Sequence, residues 1–159
     1  MKLLVLSDSH GAVDAMRLAV EREQPDAVLF LGDCLRDAEL LWKSYVNLRL
    51  ETVPGNCDWG CLDEPEKLVE FGGVRILMLH GHTRNVKYDG TRACYAAKEM
   101  EADVLLYGHT HRALVDFDGA LYTLNPGSIR DRGTYGVVAV ENGKVTDCGT
   151  RQLEVAGKI

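Results

Sequence analysis

Short apolar runs, each stopped by a glycine- or aspartate-bearing polar segment, alternate along the chain with stretches whose apolar positions recur every three or four residues. Lys2 to Leu6 is such a run and ends at Ser7-Asp8-Ser9-His10-Gly11, the pattern of a buried strand delivering a polar loop. From Val13 to Glu23, Val13, Met16, Ala19 and Val20 fall at helical spacing, and Pro25 closes the segment. Ala27 to Leu31 predicts a second strand ending at Gly32-Asp33, Asp37 to Val46 a second helix, and Leu48 to Val53 a third strand stopped by Pro54-Gly55-Asn56-Cys57-Asp58. After a loop over Trp59 to Pro65, Lys67 to Phe71 and Val74 to Leu79 flank Gly72-Gly73, which predicts a hairpin whose second strand ends at His80-Gly81-His82. Asp89 to Met100 predicts a helix and Asp103 to Tyr107 a strand. The remainder reads as hairpins turning at Asp118-Gly119 and Asn142-Gly143, with Val145 to Leu153 as the last strand.

This rhythm predicts an α/β fold of two packed sheets, mixed in direction, with helices outside. At 159 residues the chain is expected to form one domain over 1–159. A formal net charge of -6, without a Lys/Arg run longer than two, argues against a nucleic-acid polymer as partner. The apolar run at the start is too short to cross a membrane or to serve as a signal-peptide core, so the expectation is a cytoplasmic protein with no membrane partner. The 5 cysteines form no Cys-x-x-Cys pair and read as free thiols.

The polar loops carry the chemistry. Asp8 and His10, Asp33, Asn56, His80 and His82, then His109 and His111 all follow apolar strands, and every histidine of the chain is among them. In open α/β sheets ligands bind beyond the carboxyl ends of the strands, so these loops are expected to converge. His109 and His111 are expected to leave a strand end on one side, because residues i and i+2 of an extended chain share a face. Asp8, His10, Asp33, Asn56, His80, His109 and His111 offer more nitrogen and oxygen donors than one four-coordinate ion uses. They suit two divalent ions sharing a carboxylate, a recurring arrangement for hydrolysing phosphate esters.

Asp8-Ser9-His10, Gly32-Asp33, Gly55-Asn56-Cys57-Asp58, His80-Gly81-His82 and Gly108-His109-Thr110-His111, in that order and followed by Asn125-Pro126-Gly127-Ser128, make the chain resemble the calcineurin-like metallophosphoesterases, specifically their small phosphodiesterase branch with a GNCD motif. The resemblance covers essentially the whole chain and implies an αββα sandwich of two mixed β-sheets flanked by helices. It also implies that Asp8, His10 and His111 hold one metal, that Asn56, His80 and His109 hold the other, and that Asp33 bridges them. Manganese is the first expectation, with nickel, iron or zinc equally compatible with such donors. Haloacid dehalogenases want a second carboxylate where this chain has His10, and the His-x-His-x-Asp-His motif of metallo-β-lactamases is broken by Arg112-Ala113. Amidohydrolase barrels need a longer chain.

The implied reaction is hydrolysis of a small phosphodiester, cyclic or other nucleotide diesters included, by a hydroxide bridging the two ions. The alternatives are a phosphomonoesterase on the same site and a non-catalytic metal-binding scaffold. Many relatives place a histidine after the Asn ligand, where this chain has Cys57 and then Asp58, so the leaving-group proton needs another source. His82 is the candidate, as phosphate contact or substitute acid. Asp58 reads as orienting Asn56 or Cys57, or as capping a turn. Asp37 reads as an acid in a helix's first turn, Asn125 to Ser128 as a structural turn, and Arg130 and Arg132 as solvated charge. A homo-oligomer is compatible with the sequence.

Overall fold

The computed structural model describes residues 1–154, so residues 155–159 of the expected domain lie outside the described residues. Ten strands, β1 (Lys2–Leu6), β2 (Ala27–Phe30), β3 (Arg49–Thr52), β4 (Glu66–Phe71), β5 (Val74–Leu79), β6 (Val104–Leu106), β7 (Ala113–Phe117), β8 (Tyr122–Pro126), β9 (Thr134–Glu141) and β10 (Lys144–Gln152), form two mixed sheets of five. The orders are β10-β9-β1-β2-β3 and β4-β5-β6-β8-β7. Helices α1 (Val13–Glu23), α2 (Leu35–Ser44) and α3 (Thr91–Glu99) and one 3-10 turn (His82–Arg84) complete the described elements.

Burial explains the apolar runs. Leu3 and Val5 of β1, Leu29 of β2, Ile76 of β5, Val104 and Leu106 of β6, and Leu124 of β8 meet between the sheets. Their strand neighbours Leu4, Leu6, Val28 and Phe30 pack outward with Met16, Ala19, Ala38 and Leu41 of α1 and α2. Leu77, Leu79 and Leu105 pack outward with Ala93, Ala96 and Ala97 of α3. Strands covered on both faces carry no polar alternation. The result is the expected αββα sandwich.

The predicted bounds of β1, α1 and β5 match, and Gly72 and Gly73 both take positive φ in the β4–β5 turn. α2 begins at Leu35 rather than Asp37 because its first amides are capped from another loop, Asp58 Oδ1 accepting the N–H groups of Cys34 (2.9 Å) and Leu35 (2.8 Å). Such a cap from a distant segment leaves no local signature. Asn125 and Pro126, read as part of a turn, instead end strand β8.

Candidate metal centre

Strands β1, β2, β3, β5 and β6 end at one edge of the sandwich, where their loops are stitched together by backbone bonds from Asp8 N–H to Gly32 O (3.0 Å) and from Gly108 N–H to His80 O (2.9 Å). The glycines of the motifs permit this approach. A Cβ on Gly108 would overlap Ser7 Oγ and Asp8 Oδ2, and one on Gly55 would overlap the Asp33 carboxylate. Side-chain-free positions are thus required where a backbone abuts a buried carboxylate.

Five of the expected ligands, Asp8, His10, Asp33, His109 and His111, have positive φ, between 39° and 67°. Such conformations cost non-glycine residues of order 1–3 kcal/mol each and collect at functional sites. They also correct the expectation for His109 and His111. The strand has ended at Leu106, and left-handed backbone at His109 and again at His111, on either side of Thr110, aims the two rings rather than strand alternation.

The rings go to different groups. Nitrogen and oxygen atoms of Asp8, His10 and His111 lie within 4.8 Å of one another, and so do those of Asp33, His80 and His109. Asp33 joins the groups: its Oδ2 is 3.3 Å from His80 Nε2 and 3.8 Å from His10 Nε2. Its Oδ1 accepts the Cys57 backbone N–H at 2.9 Å. Burial raises the affinity of Asp33 for a proton, but bonds from His80 and Cys57 outweigh it and hold the carboxyl well below the usual range. Asp8 goes the other way, pushed up mainly by burial against the opposing effects of His80 and Ser7. Its Oδ2 accepts from Ser7 Oγ (2.5 Å) and from His109 N–H (3.1 Å). Its Oδ1, equally buried, has no hydrogen-bond partner among the described residues and faces His111 Nε2 at 3.1 Å and His80 Nε2 at 3.8 Å.

An orphaned carboxylate oxygen ringed by imidazole nitrogens is costly unless a cation occupies the space between them. The donor set therefore fits divalent metal. The imidazoles are also prepared for it. His80 Nδ1 lies 2.8 Å from the buried Leu31 carbonyl and must donate to it, which aims Nε2 at the centre. Burial lowers the His80 pKa, but Asp33 and Asp8 outweigh it and raise it, so Nε2 gives up a proton when a cation binds. His111 Nδ1 is likewise held by Asp131 Oδ2 at 2.7 Å. Burial, with His80 and Lys87 nearby, lowers the His109 pKa to about 4, so this imidazole is neutral near pH 7.

The other expected residues are less uniform. Asn56 is exposed, its amide donates to Cys57 Sγ at 3.6 Å, and it makes no hydrogen bond to either group among the described residues. The Cys57 thiol is pushed up by burial, with Asp33 and Asp58 nearby, and keeps its proton. Asp58 orients neither neighbour's side chain: it accepts backbone N–H groups from Asp33, Cys34, Leu35 and Gly55, locking the β2 and β3 loops together. The segment at His82 is a 3-10 turn rather than extended chain, yet its ring centroid lies 5.5 Å from that of His80 and 6.2 Å from that of His109. His82 Nδ1 is buried without a hydrogen-bond partner among the described residues, and burial followed by the charge of His80 lowers its pKa.

Several supporting residues lie outside the expected ligand set. Asp131 lies between Arg130 and Arg132, which read as solvated charge. Ser128 Oγ donates to the Asp8 carbonyl (2.8 Å) and accepts from Asp131 N–H (3.1 Å), so one hydroxyl ties both ends of the Asp8–His111 group. Asn125 Nδ2 donates to Gly108 O (3.0 Å) and Thr110 Oγ1 (2.9 Å), fixing the loop between the two histidines. Asp37 does sit in the first turn of α2, but it is buried and accepts from Ser9 Oγ (2.6 Å) and Gly11 N–H (2.7 Å).

Known proteins resemble this chain in sequence and fold. Residues 1–143 match the family model of the calcineurin-like phosphoesterase superfamily domain. The probable metallophosphoesterase YsnB of Bacillus subtilis is 31% identical over 151 residues, covering 92% of this chain and 88% of that one. The phosphodiesterase YfcE of Escherichia coli K12 is 26% identical over 157 residues, covering 81% of this chain and 79% of its own. A solved structure of a predicted phosphoesterase from Streptococcus pneumoniae, 30% identical, superposes with a TM-score of 0.75 over 88% of this chain and 83% of that one. Sequence, fold and site geometry agree that this chain belongs to the calcineurin-like phosphoesterase superfamily.

Proposed function

We propose that the protein is a dinuclear metal-dependent phosphodiesterase acting on small phosphodiesters. The observation that carries the reading is the position of Asp33 Oδ2, within 3.8 Å of His10 in one donor group and 3.3 Å of His80 in the other. Asp8, His10 and His111 would hold one divalent cation, His80 and His109 with Asn56 the other, and Asp33 would serve both. Manganese is the first candidate, with nickel, iron or zinc suited to the same donors. When bound, the pair supplies an acidified water at neutral pH and neutralises charge on the phosphoryl oxygens.

The chain's own residues do the rest. Leu31 O and Asp131 fix the His80 and His111 rings, which aims both Nε2 atoms at the centre without reorientation. His82 borders the second group, and its neutral imidazole would donate an N–H hydrogen bond to a phosphoryl oxygen rather than supply the leaving group's proton. Cys57 contributes its backbone N–H to Asp33 and does not replace a catalytic imidazole. The substrate is a small diester, nucleotide diesters included. The protein's 5 cysteines are all free, which supports a reducing, cytoplasmic setting.

Hydrolysis of an activated aryl phosphodiester, measured beside the matching monoester after metal stripping and manganese addition, tests this. Faster diester turnover that is lost in Asp33→Ala supports the reading. Faster monoester turnover would make the protein a phosphomonoesterase, and metal binding without either activity would make it a scaffold.

A further inference from the structure

β7 is the edge strand of its sheet, and every residue from Ala113 to Phe117 is exposed, with Leu114 at 45%, Val115 at 42% and Phe117 at 51%. A bare apolar edge is a template for another strand, and proteins normally blunt such edges with charge, proline or a bulge. β7 has one acid, Asp116, and no proline.

The free backbone groups can be identified. On β8, the Tyr122 N–H bonds to Asp103 O (3.0 Å) and Leu124 O accepts from the Tyr107 N–H (3.2 Å), so these residues face β6. Thr123 and Asn125, opposite Asp116 and Leu114, therefore bond to β7. Ala113, Val115 and Phe117 are left with their N–H and C=O groups directed outward. Side chains separate as well. Phe117 stacks on Tyr122 at 4.2 Å on the inner side, whereas Leu114 and Asp116 line an outer groove of about 610 Å³ with Tyr95 and Lys98 of α3.

We propose that β7 pairs antiparallel with β7 of a second copy of this chain, about a two-fold axis at Leu114. In that register Leu114 faces Leu114, Ala113 and Val115 face each other and exchange backbone hydrogen bonds, and Arg112 faces Asp116 at both ends. Charge complementarity selects it. An axis at Val115 would set Asp116 against Leu114 and Arg112 against Asp118, whose carboxylate is already engaged by Lys98 at 2.9 Å and by the Ala120 and Leu121 N–H groups of its own turn. The same register places the free N–H and C=O groups of Ala113 opposite those of Val115, as an antiparallel ladder requires. The two sheets become one sheet of ten strands, with the Leu114 pair continuing the apolar groove beside Tyr95.

Sedimentation velocity of the full chain, together with four variants, tests the interface. The wild type is expected to be a dimer. R112D and D116R should each weaken it about fivefold or more, and the double swap should restore it, because each cross-strand ion pair is worth some tenths of a kcal/mol and occurs at both ends. L114C should form an intermolecular disulfide through the introduced thiols, since directly opposed residues of a non-hydrogen-bonded pair lie within disulfide range. Unchanged far-UV circular dichroism confirms folding of each variant. A wild-type monomer at high micromolar concentration overturns the proposal. So does a dimer that neither charge variant weakens, or one that the double swap does not restore. Sedimentation is independent of hydrolysis, so neither result bears on the phosphodiesterase reading.

Discussion

His111 Nδ1 donates to Asp131 Oδ2 at 2.7 Å, across 20 residues of chain, and this bond leaves His111 Nε2 facing Asp8. The carboxylate is 47% exposed, so its removal leaves no buried vacancy. Asp131→Asn is expected to lower metal affinity at the Asp8–His10–His111 group about 10- to 100-fold, the usual cost of losing such an orienting partner. Isothermal titration with manganese reads the affinity. Urea unfolding of the metal-free variant should match the wild type within about 0.5 kcal/mol.

His82 borders the donor pair without belonging to either group of mutually close ligand atoms. His82→Ala should leave manganese stoichiometry unchanged and reduce kcat on an aryl diester by about tenfold or more. A rate within about twofold of wild type would remove His82 from the reaction.

Asp58 receives four backbone N–H groups, from Asp33, Cys34, Leu35 and Gly55. Asp58→Ala strands these donors at the junction of two site loops. A stability loss of about 2–4 kcal/mol in urea unfolding is expected, with metal affinity falling in parallel.

Glu23, buried at the end of α1, accepts from the Tyr135 hydroxyl and from Arg151, with Lys2 beside it. Burial alone would raise its pKa, but these partners outweigh it and hold the group below its ordinary value of 4.5. A depressed folded-state value means that the carboxylate stabilises the fold above pH 4.5 and that this contribution fades as pH falls through the folded value. Glu23→Gln should therefore cost about 2 kcal/mol at pH 7, and the gap to wild type should narrow progressively below pH 4.5. Urea titrations across that range measure it. A gap that widens on acidification would contradict the assignment.

Much of this was legible in the sequence because burial on two faces writes itself as apolar runs. β1, β2, β5 and β6 are sandwiched between layers, and each was visible together with the polar loop that follows it. The histidines stood out because all of them occur in those loops. What stayed hidden depends on tertiary partners. The start of α2 is set by Asp58, the aim of His109 and His111 by left-handed backbone, and the tautomers of His80 and His111 by Leu31 O and Asp131. Asp131 looks like any surface acid between arginines until the fold brings it to His111.

The most direct measurement is a manganese titration of the stripped protein in which bound metal, by mass spectrometry of the ions, and diester turnover are followed together. Two ions per chain are predicted, with turnover rising only as the second binds, and with Asp33→Ala losing both the second ion and the activity. Full turnover at one ion per chain, or two ions retained in Asp33→Ala with activity intact, would contradict the shared-carboxylate centre.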